Sequence, residues 1–290
     1  MKLVFVHGRS QQGKDPFQLQ QQWTRALSEG LKKSNIDLPQ GVEVVFPFYG
    51  NRLDELLKEL NAPLVSDVTQ RGAEQDSAEA NFKGELLYEI AQGIGVSDTD
   101  IQSHFKGAPQ EKGLQNWEWV QSILKALDRT PLGEIAIDAF TRDVYVYLTN
   151  KSVRNEIDKI VSASLTNGLC VVVGHSLGSV VAYNVLRNAS TTVGVRKYIT
   201  VGSPLGIKAI KRKLDVPLVM PSCVQSWFNA MDERDVVALH PLDSVNFNIS
   251  PSIDNKTDVN NHTDNRHGIA GYLDDATVAI QIRNALVTEQ

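Results

Sequence analysis

The chain has 290 residues, of which 42% are hydrophobic and 22% charged, with a formal net charge of -5. An acidic protein has no basic surface to attract phosphate backbones, so we do not expect nucleic acid as a partner. Only four apolar residues separate Lys2 from His7 and no apolar run approaches the about 20 of a membrane span, which excludes a signal-peptide core and a spanning helix and predicts a cytoplasmic protein.

Strand and helix patterns alternate along the first sixty residues. Leu3–Val6 and Val42–Phe46 are apolar runs of the buried-strand type. Helical patterns follow them, over Phe17–Lys33 and Leu53–Leu60. The alternation predicts an α/β fold with a mostly parallel, doubly wound sheet, in a single domain over residues 1–290.

The alternation stops between residues 61 and 130, where only helical patterns occur. They cover Ala78–Ile94 and Leu114–Leu127, and the second has an apolar face that starts at Trp117. We expect an inserted helical cap or lid over 61–130, with a helical layer that has no role in gating as the equal alternative. The apolar face would line an acyl pocket or, as is commoner for such spacing, pack in the core.

The second half of the chain returns to strands. Two helical patterns come first, and Ser152 is the predicted N-cap of the second. The polar stretch 254–266 is predicted to be a loop. The predicted strands are Leu169–Val173, Lys197–Val201 and Val224–Phe228.

A Gly-x-Ser-x-Gly motif at 174–178 directly follows the strand Leu169–Val173 and precedes a helical pattern. A sharp turn from strand to helix strains the residue at its tip, and only small neighbours such as Gly174 and Gly178 let the chain pack closely there. The motif alone is common by chance, but this context is typical of a nucleophile elbow. The sequence therefore predicts Ser176 as an exposed nucleophile.

A serine hydroxyl becomes a nucleophile only when an imidazole takes its proton and a carboxylate fixes the tautomer of that imidazole. In one known chain order the acid and then the histidine follow the serine. The strand ending at Phe228 is followed by three acids, Asp232, Glu233 and Asp235. We choose Asp235 because apolar residues follow it, and we expect Asp232 to brace the loop.

Three histidines follow the motif, namely His240, His262 and His267. His267 is the predicted base because it lies at the boundary between a loop and a helical pattern that starts after Gly268. His240 follows the acid too closely to reach back independently, and His262 lies in the middle of a polar loop.

Two backbone N–H groups are needed to bind the oxyanion of the reaction. Leu177, next to the nucleophile, supplies one of them. Arg9, after the first strand, is the preferred source of the second, with Ser10 as the alternative. The Arg9 side chain would attract a carboxylate or phosphate of the substrate, or simply face solvent.

No metal or cofactor is predicted. The oxygen-rich stretch from Asp254 to Asp264 lacks the spacing of a calcium loop, and no strand or helix fixes His262, Asp264 and His267 as metal ligands. Dinucleotide and phosphate-loop motifs do not occur. Cys170 and Cys223 are expected to be buried thiols rather than a disulfide.

Several segments resemble the α/β-hydrolase superfamily. Val171–Tyr183 looks like the nucleophile region of its lipase-type members, notably the DDHD-domain phospholipases. Asp143–Leu148 and Val201–Gly206 also look like segments of that group. Asn229–Pro241 is similar to the acid loop of these enzymes and of fungal lipases, where the aspartate before two apolar residues is catalytic, which matches Asp235.

The start of the last predicted helix, with His267 and Tyr272, is similar to the histidine and aromatic residue of the same family. The resemblance implies the α/β-hydrolase fold and a serine esterase or lipase that needs no cofactor. We expect hydrolysis of a small-molecule or lipid ester through an acyl-enzyme on Ser176, with a long acyl ester favoured and transient contact with a membrane surface compatible with it. The alternatives are a non-catalytic interaction module and an acyltransferase that uses the same three residues.

Overall fold

The computed structural model describes residues 1–67, 77–107, 113–114, 116–128, 133–165, 168–190 and 192–287. Its centre is an open sheet of six strands in the order β2-β1-β3-β4-β5-β6, and every neighbouring pair is parallel. The strands are β1 (Lys2–Val6), β2 (Glu43–Val45), β3 (Gly168–His175), β4 (Val193–Val201), β5 (Trp227–Ala230) and β6 (Asp254–Lys256).

Helices cover both faces of the sheet, as expected for a parallel sheet whose strands are apolar on both sides. One face carries the first helix and the last two, and the other face carries the rest. The helices are α1 (Pro16–Lys32), α2 (Gly50–Glu59), α3 (Ser77–Gly93), α4 (Asp98–His104), α5 (Trp117–Ala126), α6 (Glu134–Thr149), α7 (Lys151–Ser162), α8 (Leu177–Arg187), α9 (Lys208–Lys211), α10 (Ile269–Leu273) and α11 (Ala276–Leu286).

The neighbouring strands β1 and β3 separate two hydrophobic clusters because successive side chains of a strand point to opposite faces. Val4 and Val172 belong to the cluster shared with α3, α5 and α8. Phe5 and Val173 belong to the cluster shared with α1 and α11. Phe5 pairs with Val173 in the register of β1 and β3, so the carboxyl ends of these two strands lie side by side.

The sheet confirms the predicted α/β class, and most predicted elements are displaced by only one to three residues. Three details of the prediction are wrong. Residues 254–256, predicted as loop, form β6 at the edge of the sheet, where pairing with β5 does not require an apolar pattern. Helix α4 was not expected. The N-cap of α7 is Asn150, whose Oδ1 accepts from the amides of Ser152 and Val153 at 3.1 Å each.

The predicted cap contains helices α3, α4 and α5, while its residues 68–76, 108–112, 115 and 129–130 lie outside the described part of the chain. Side chains of α3 and α5, such as Leu86 and Ile123, share one apolar cluster with the central strands. That the segment 61–130 acts as a lid stays a prediction. None of the described helices is long and apolar enough to cross a membrane.

Candidate active site

Ser176 lies at the junction of β3 and α8, at the carboxyl edge of the sheet. Its backbone has φ 54° and ψ -132°, a conformation that residues with a side chain rarely adopt. The Ser176 amide donates to the carbonyl oxygen of Val201 at 3.3 Å, which ties the turn to the neighbouring strand. The strained turn that the motif predicts is therefore present.

The glycines of the motif are required by close backbone contacts. A Cβ atom on Gly178 would lie 2.3 Å from the carbonyl oxygens of both Val6 and His7. A Cβ atom on Gly174 would lie 2.8 Å from the Cα of Ser179. All these distances are shorter than van der Waals contact. The turn therefore packs against the end of β1 only without a side chain at Gly178, and against the start of α8 only without one at Gly174.

Three side chains that are far apart in the sequence form one hydrogen-bonded chain. His267 Nε2 lies 2.9 Å from Ser176 Oγ, and His267 Nδ1 lies 2.7 Å from Asp235 Oδ2. Ser176 is only 2% exposed, so the prediction of an exposed serine is wrong: the loops that carry Gly8 and His267 cover it. The Asp235 side chain is fully buried. The structure therefore brings together the three residues that the sequence selects as nucleophile, base and acid.

Four donors surround the Asp235 carboxylate. Its Oδ2 accepts from His267 and from the Tyr272 hydroxyl at 2.6 Å, while its Oδ1 accepts from the amides of Val237 at 2.8 Å and Ala238 at 3.3 Å. Burial raises the pKa of the Asp235 carboxyl, but the charge of His267 and these hydrogen bonds outweigh burial and lower it below its ordinary value. The carboxylate is ionised and only accepts.

The ionised acid fixes the tautomer of His267. Because Asp235 accepts the hydrogen bond at Nδ1, that nitrogen carries the proton and Nε2 presents its lone pair to the Ser176 hydroxyl. The arrangement can remove the serine proton at the moment of attack, which is the chemical requirement for a serine nucleophile.

Asp232 holds the two loops of the site together, as expected from the sequence. Its carboxylate accepts from the amides of Arg234 and Asn261 at 2.8 Å each, so it joins the acid loop to the loop that leads to His267. The Asp232 amide also donates to the hydroxyl of Tyr272 at 3.2 Å. Tyr272, which the resemblance names beside His267, thus joins α10 to the acid loop.

His175 contributes to the site in a way that was not predicted. Its Nε2 lies 2.8 Å from the carbonyl oxygen of His267, and since a carbonyl only accepts, this nitrogen carries a proton and donates. Burial and the charge of His267 lower the pKa of His175 to about 3, so the ring stays neutral. The residue before Ser176 therefore anchors the backbone of His267.

The two predicted oxyanion donors both lie close to Ser176. Leu177 begins α8 directly after it, and the loop of Arg9 is in contact with it through Gly8, where a Cβ atom would lie 2.8 Å from the Cβ of Ser176. Within the described part of the chain, no group accepts a hydrogen bond from the amide of Leu177 or of Arg9. Both N–H groups are available as donors.

A buried histidine orients the Arg9 amide. His7 Nε2 accepts from the Tyr49 amide at 3.1 Å, so Nδ1 carries the proton and donates to the carbonyl oxygen of Gly8 at 2.6 Å. Burial lowers the pKa of His7 to about 4, which keeps this ring neutral. In a trans peptide the N–H points opposite to the C=O, so the Arg9 N–H points away from His7.

The Arg9 side chain does not have the role considered for it from the sequence. Its Nε donates to Asp143 Oδ2 at 3.0 Å, and its Nη1 donates to the carbonyl oxygen of Ala136 at 3.3 Å. Both partners belong to α6. The guanidinium therefore fastens the loop after β1 to this helix and is not free to receive an anion.

The other candidate histidines have partners elsewhere. His240 Nε2 lies 2.9 Å from Glu89 Oε1, and His262 Nδ1 lies 3.5 Å from Asp274 Oδ2. No group of three or more His, Cys, Asp or Glu side chains poised for a metal occurs among the described residues. Cys170 and Cys223 are both free thiols, as expected, but only Cys170 is buried and Cys223 is partly exposed.

A cavity of about 420 Å³ opens beside Ser176 and His267. Its apolar wall includes Trp23 from α1 and Phe140 from α6, whereas no described residue of α5 lines it. The apolar side chains of α5 lie in the core instead, the commoner of the two roles expected for them. A larger cavity of about 770 Å³ lies near α4, and Ser176 is not among its described lining residues.

No protein-family model matches the chain, and no significant match was found among curated proteins or solved structures. The functional assignment therefore depends on the geometry of the site.

Proposed function

We propose that the protein is a serine hydrolase of the α/β-hydrolase fold that cleaves carboxylic esters through an acyl-enzyme on Ser176. The observation that carries the proposal is the chain of hydrogen bonds Ser176–His267–Asp235, at 2.9 and 2.7 Å, assembled at the carboxyl edge of a parallel sheet. A strained turn that presents the serine and two free amides beside it supports the same reaction.

The reaction would proceed in two halves. Ser176 Oγ attacks the ester carbonyl carbon while its proton passes to His267 Nε2, and Asp235 stabilises the imidazolium that results. The amides of Leu177 and Arg9 bind the oxygen that becomes negative. The leaving alcohol takes the proton from Nε2 as the carbon–oxygen bond breaks, and water, activated by the same imidazole, then releases the acid and restores Ser176.

A fluorophosphonate probe tests this proposal, because it reacts covalently only with a serine that a base activates. We expect one labelled site in the wild type and none in Ser176→Ala. Ser190→Ala is the matched control, since Ser190 is exposed at the other end of the sheet, and this variant should label like the wild type. A folded wild type that does not label would favour a non-catalytic interaction module instead.

A further inference from the structure

The cavity beside Ser176 differs in charge from the chain as a whole. The protein carries a net charge of -5, yet none of the described residues that line this cavity is an aspartate or a glutamate. Two cationic side chains, Arg9 and Lys14, line it together with the amides of Gln11, Gln22 and Asn265. This lining offers hydrogen-bond donors and positive charge to a ligand.

Of the two cations, Lys14 is the one that a ligand can reach. Arg9 is already paired with Asp143 at 3.0 Å. The Lys14 ammonium donates to Gln11 Oε1 at 3.2 Å, and within the described ranges no carboxylate lies within 4.0 Å of it. The neighbouring acid, Asp15, uses its carboxylate to cap α1 through the amide of Phe17 at 2.8 Å.

The loop of residues 9–14 holds the ammonium at the cavity. Gln11 donates through Nε2 to the carbonyl oxygen of Arg9 at 2.8 Å, which orients its Oε1 as the acceptor for Lys14.

The size of the cavity restricts the substrate as well. Its volume of about 420 Å³ lies toward the lower end of the range of about 300–1,000 Å³ that is typical of pockets for small molecules. We therefore expect a small ester, rather than a long-chain lipid, to fill it.

We propose that the preferred substrate is a small ester carrying an anionic oxygen group, a carboxylate or a phosphate, and that Lys14 binds this group. The inference rests on the proposed ester hydrolysis and names its substrate class. Lys14 is a specificity-determining residue in this account. It takes no part in bond breaking, so its removal is expected to change the ratio of anionic to neutral ester turnover.

Matched ester pairs test the charge preference directly. Meta-acetoxybenzoate and meta-acetoxybenzamide place the charge on the alcohol side, and phenyl hydrogen adipate and phenyl adipamate place it on the acyl side. Because an exposed ion pair contributes up to about 1 kcal/mol, we expect kcat/KM to favour the anion about fivefold in at least one pair. Meta-acetoxyphenyl phosphate then distinguishes phosphate from carboxylate.

Variants of Lys14 assign the preference to this residue. Lys14→Gln should reduce the ratio of anionic to neutral ester to about one, Lys14→Glu should invert it, and Lys14→Arg should retain it. Lys58→Gln, on the exposed surface of α2, is the matched control and should keep the wild-type ratio. Both kcat/KM values in a ratio come from the same variant. A loss of folded enzyme lowers the two values equally and leaves their ratio unchanged.

Two outcomes would overturn the inference, and they are distinguishable from each other. Turnover of both members of each pair at equal rates, or a preference that survives in Lys14→Gln, overturns the role of Lys14 and leaves ester hydrolysis intact. No turnover of any ester, together with no fluorophosphonate label, overturns the proposed function and the substrate class with it.

Discussion

Asp235→Asn is expected to lower kcat/KM for p-nitrophenyl acetate by about 10⁴-fold, the effect of the same change in known triads, while the fold is kept. The reason lies in the donors around the carboxylate. The amides of Val237 and Ala238 both point at Oδ1, so the asparagine oxygen must take that position and its NH₂ must face His267. The imidazole would then accept at Nδ1, carry its proton on Nε2 and be unable to take the serine proton.

Tyr272→Phe is the matched control for this variant. It removes one of the four donors to the carboxylate but leaves the charge and the tautomer of His267 in place. We expect a loss of no more than about tenfold, as for one hydrogen bond to a charged group. An Asp235→Asn enzyme that stays within tenfold of the wild type would show that this carboxylate does not orient the base.

Gly178→Ala is expected to lower the free energy of unfolding by about 3 kcal/mol or more. The added methyl group would lie 2.3 Å from two backbone oxygens of β1 and its following residue, and neither atom belongs to a side chain that can rotate away. Relief requires the start of α8 to move away from the end of β1, which also displaces Ser176. Urea denaturation followed by circular dichroism measures the loss.

Gly194→Ala provides the comparison for this stability change. A Cβ atom on Gly194 would lie 3.0 Å from Leu169 Cδ2, the end of a side chain that is 43% exposed and can turn toward solvent. We expect a change within about 0.5 kcal/mol. Equal unfolding midpoints for Gly178→Ala and the wild type would contradict the close packing of the elbow against β1.

The strongly patterned parts of the fold could be predicted from the sequence. Strands such as Leu3–Val6 and Leu169–Val173 are apolar at every position, a pattern typical of parallel strands whose two faces are both covered by helices. Ser176, Asp235 and His267 could be selected because each follows or precedes a regular element. Because the strands are parallel, their carboxyl ends lie at the same end of the sheet, and the three residues meet there.

The remaining features depend on tertiary contacts that have no local pattern. The polar residues 254–256 become a strand only because β5 offers a free edge. His175 and Tyr272 acquire their roles from partners about 90 and 40 residues away, the carbonyl oxygen of His267 and the loop at Asp232. The Arg9 guanidinium pairs with Asp143 on a helix more than a hundred residues later, a contact that the loop sequence alone does not indicate.

The preference for a long acyl ester rested on the apolar face of α5 and on the family resemblance. That face packs in the core, with Val120 and Ile123 fully buried. Apolar spacing of this kind cannot distinguish a pocket wall from a core contact, because both require the same side chains. The charge and size of the cavity beside Ser176 instead support a small anionic ester, which the matched ester pairs test.

The central claim is that Ser176 carries the acyl group during turnover, and trapping this intermediate tests it most directly. Wild-type enzyme is mixed with p-nitrophenyl acetate, quenched in acid during the first turnover and digested for mass spectrometry. We predict an acetyl group on the peptide that contains Ser176, in proportion to the burst of p-nitrophenol. A burst with the acetyl group on another residue, or turnover without any acylated Ser176, would contradict the account.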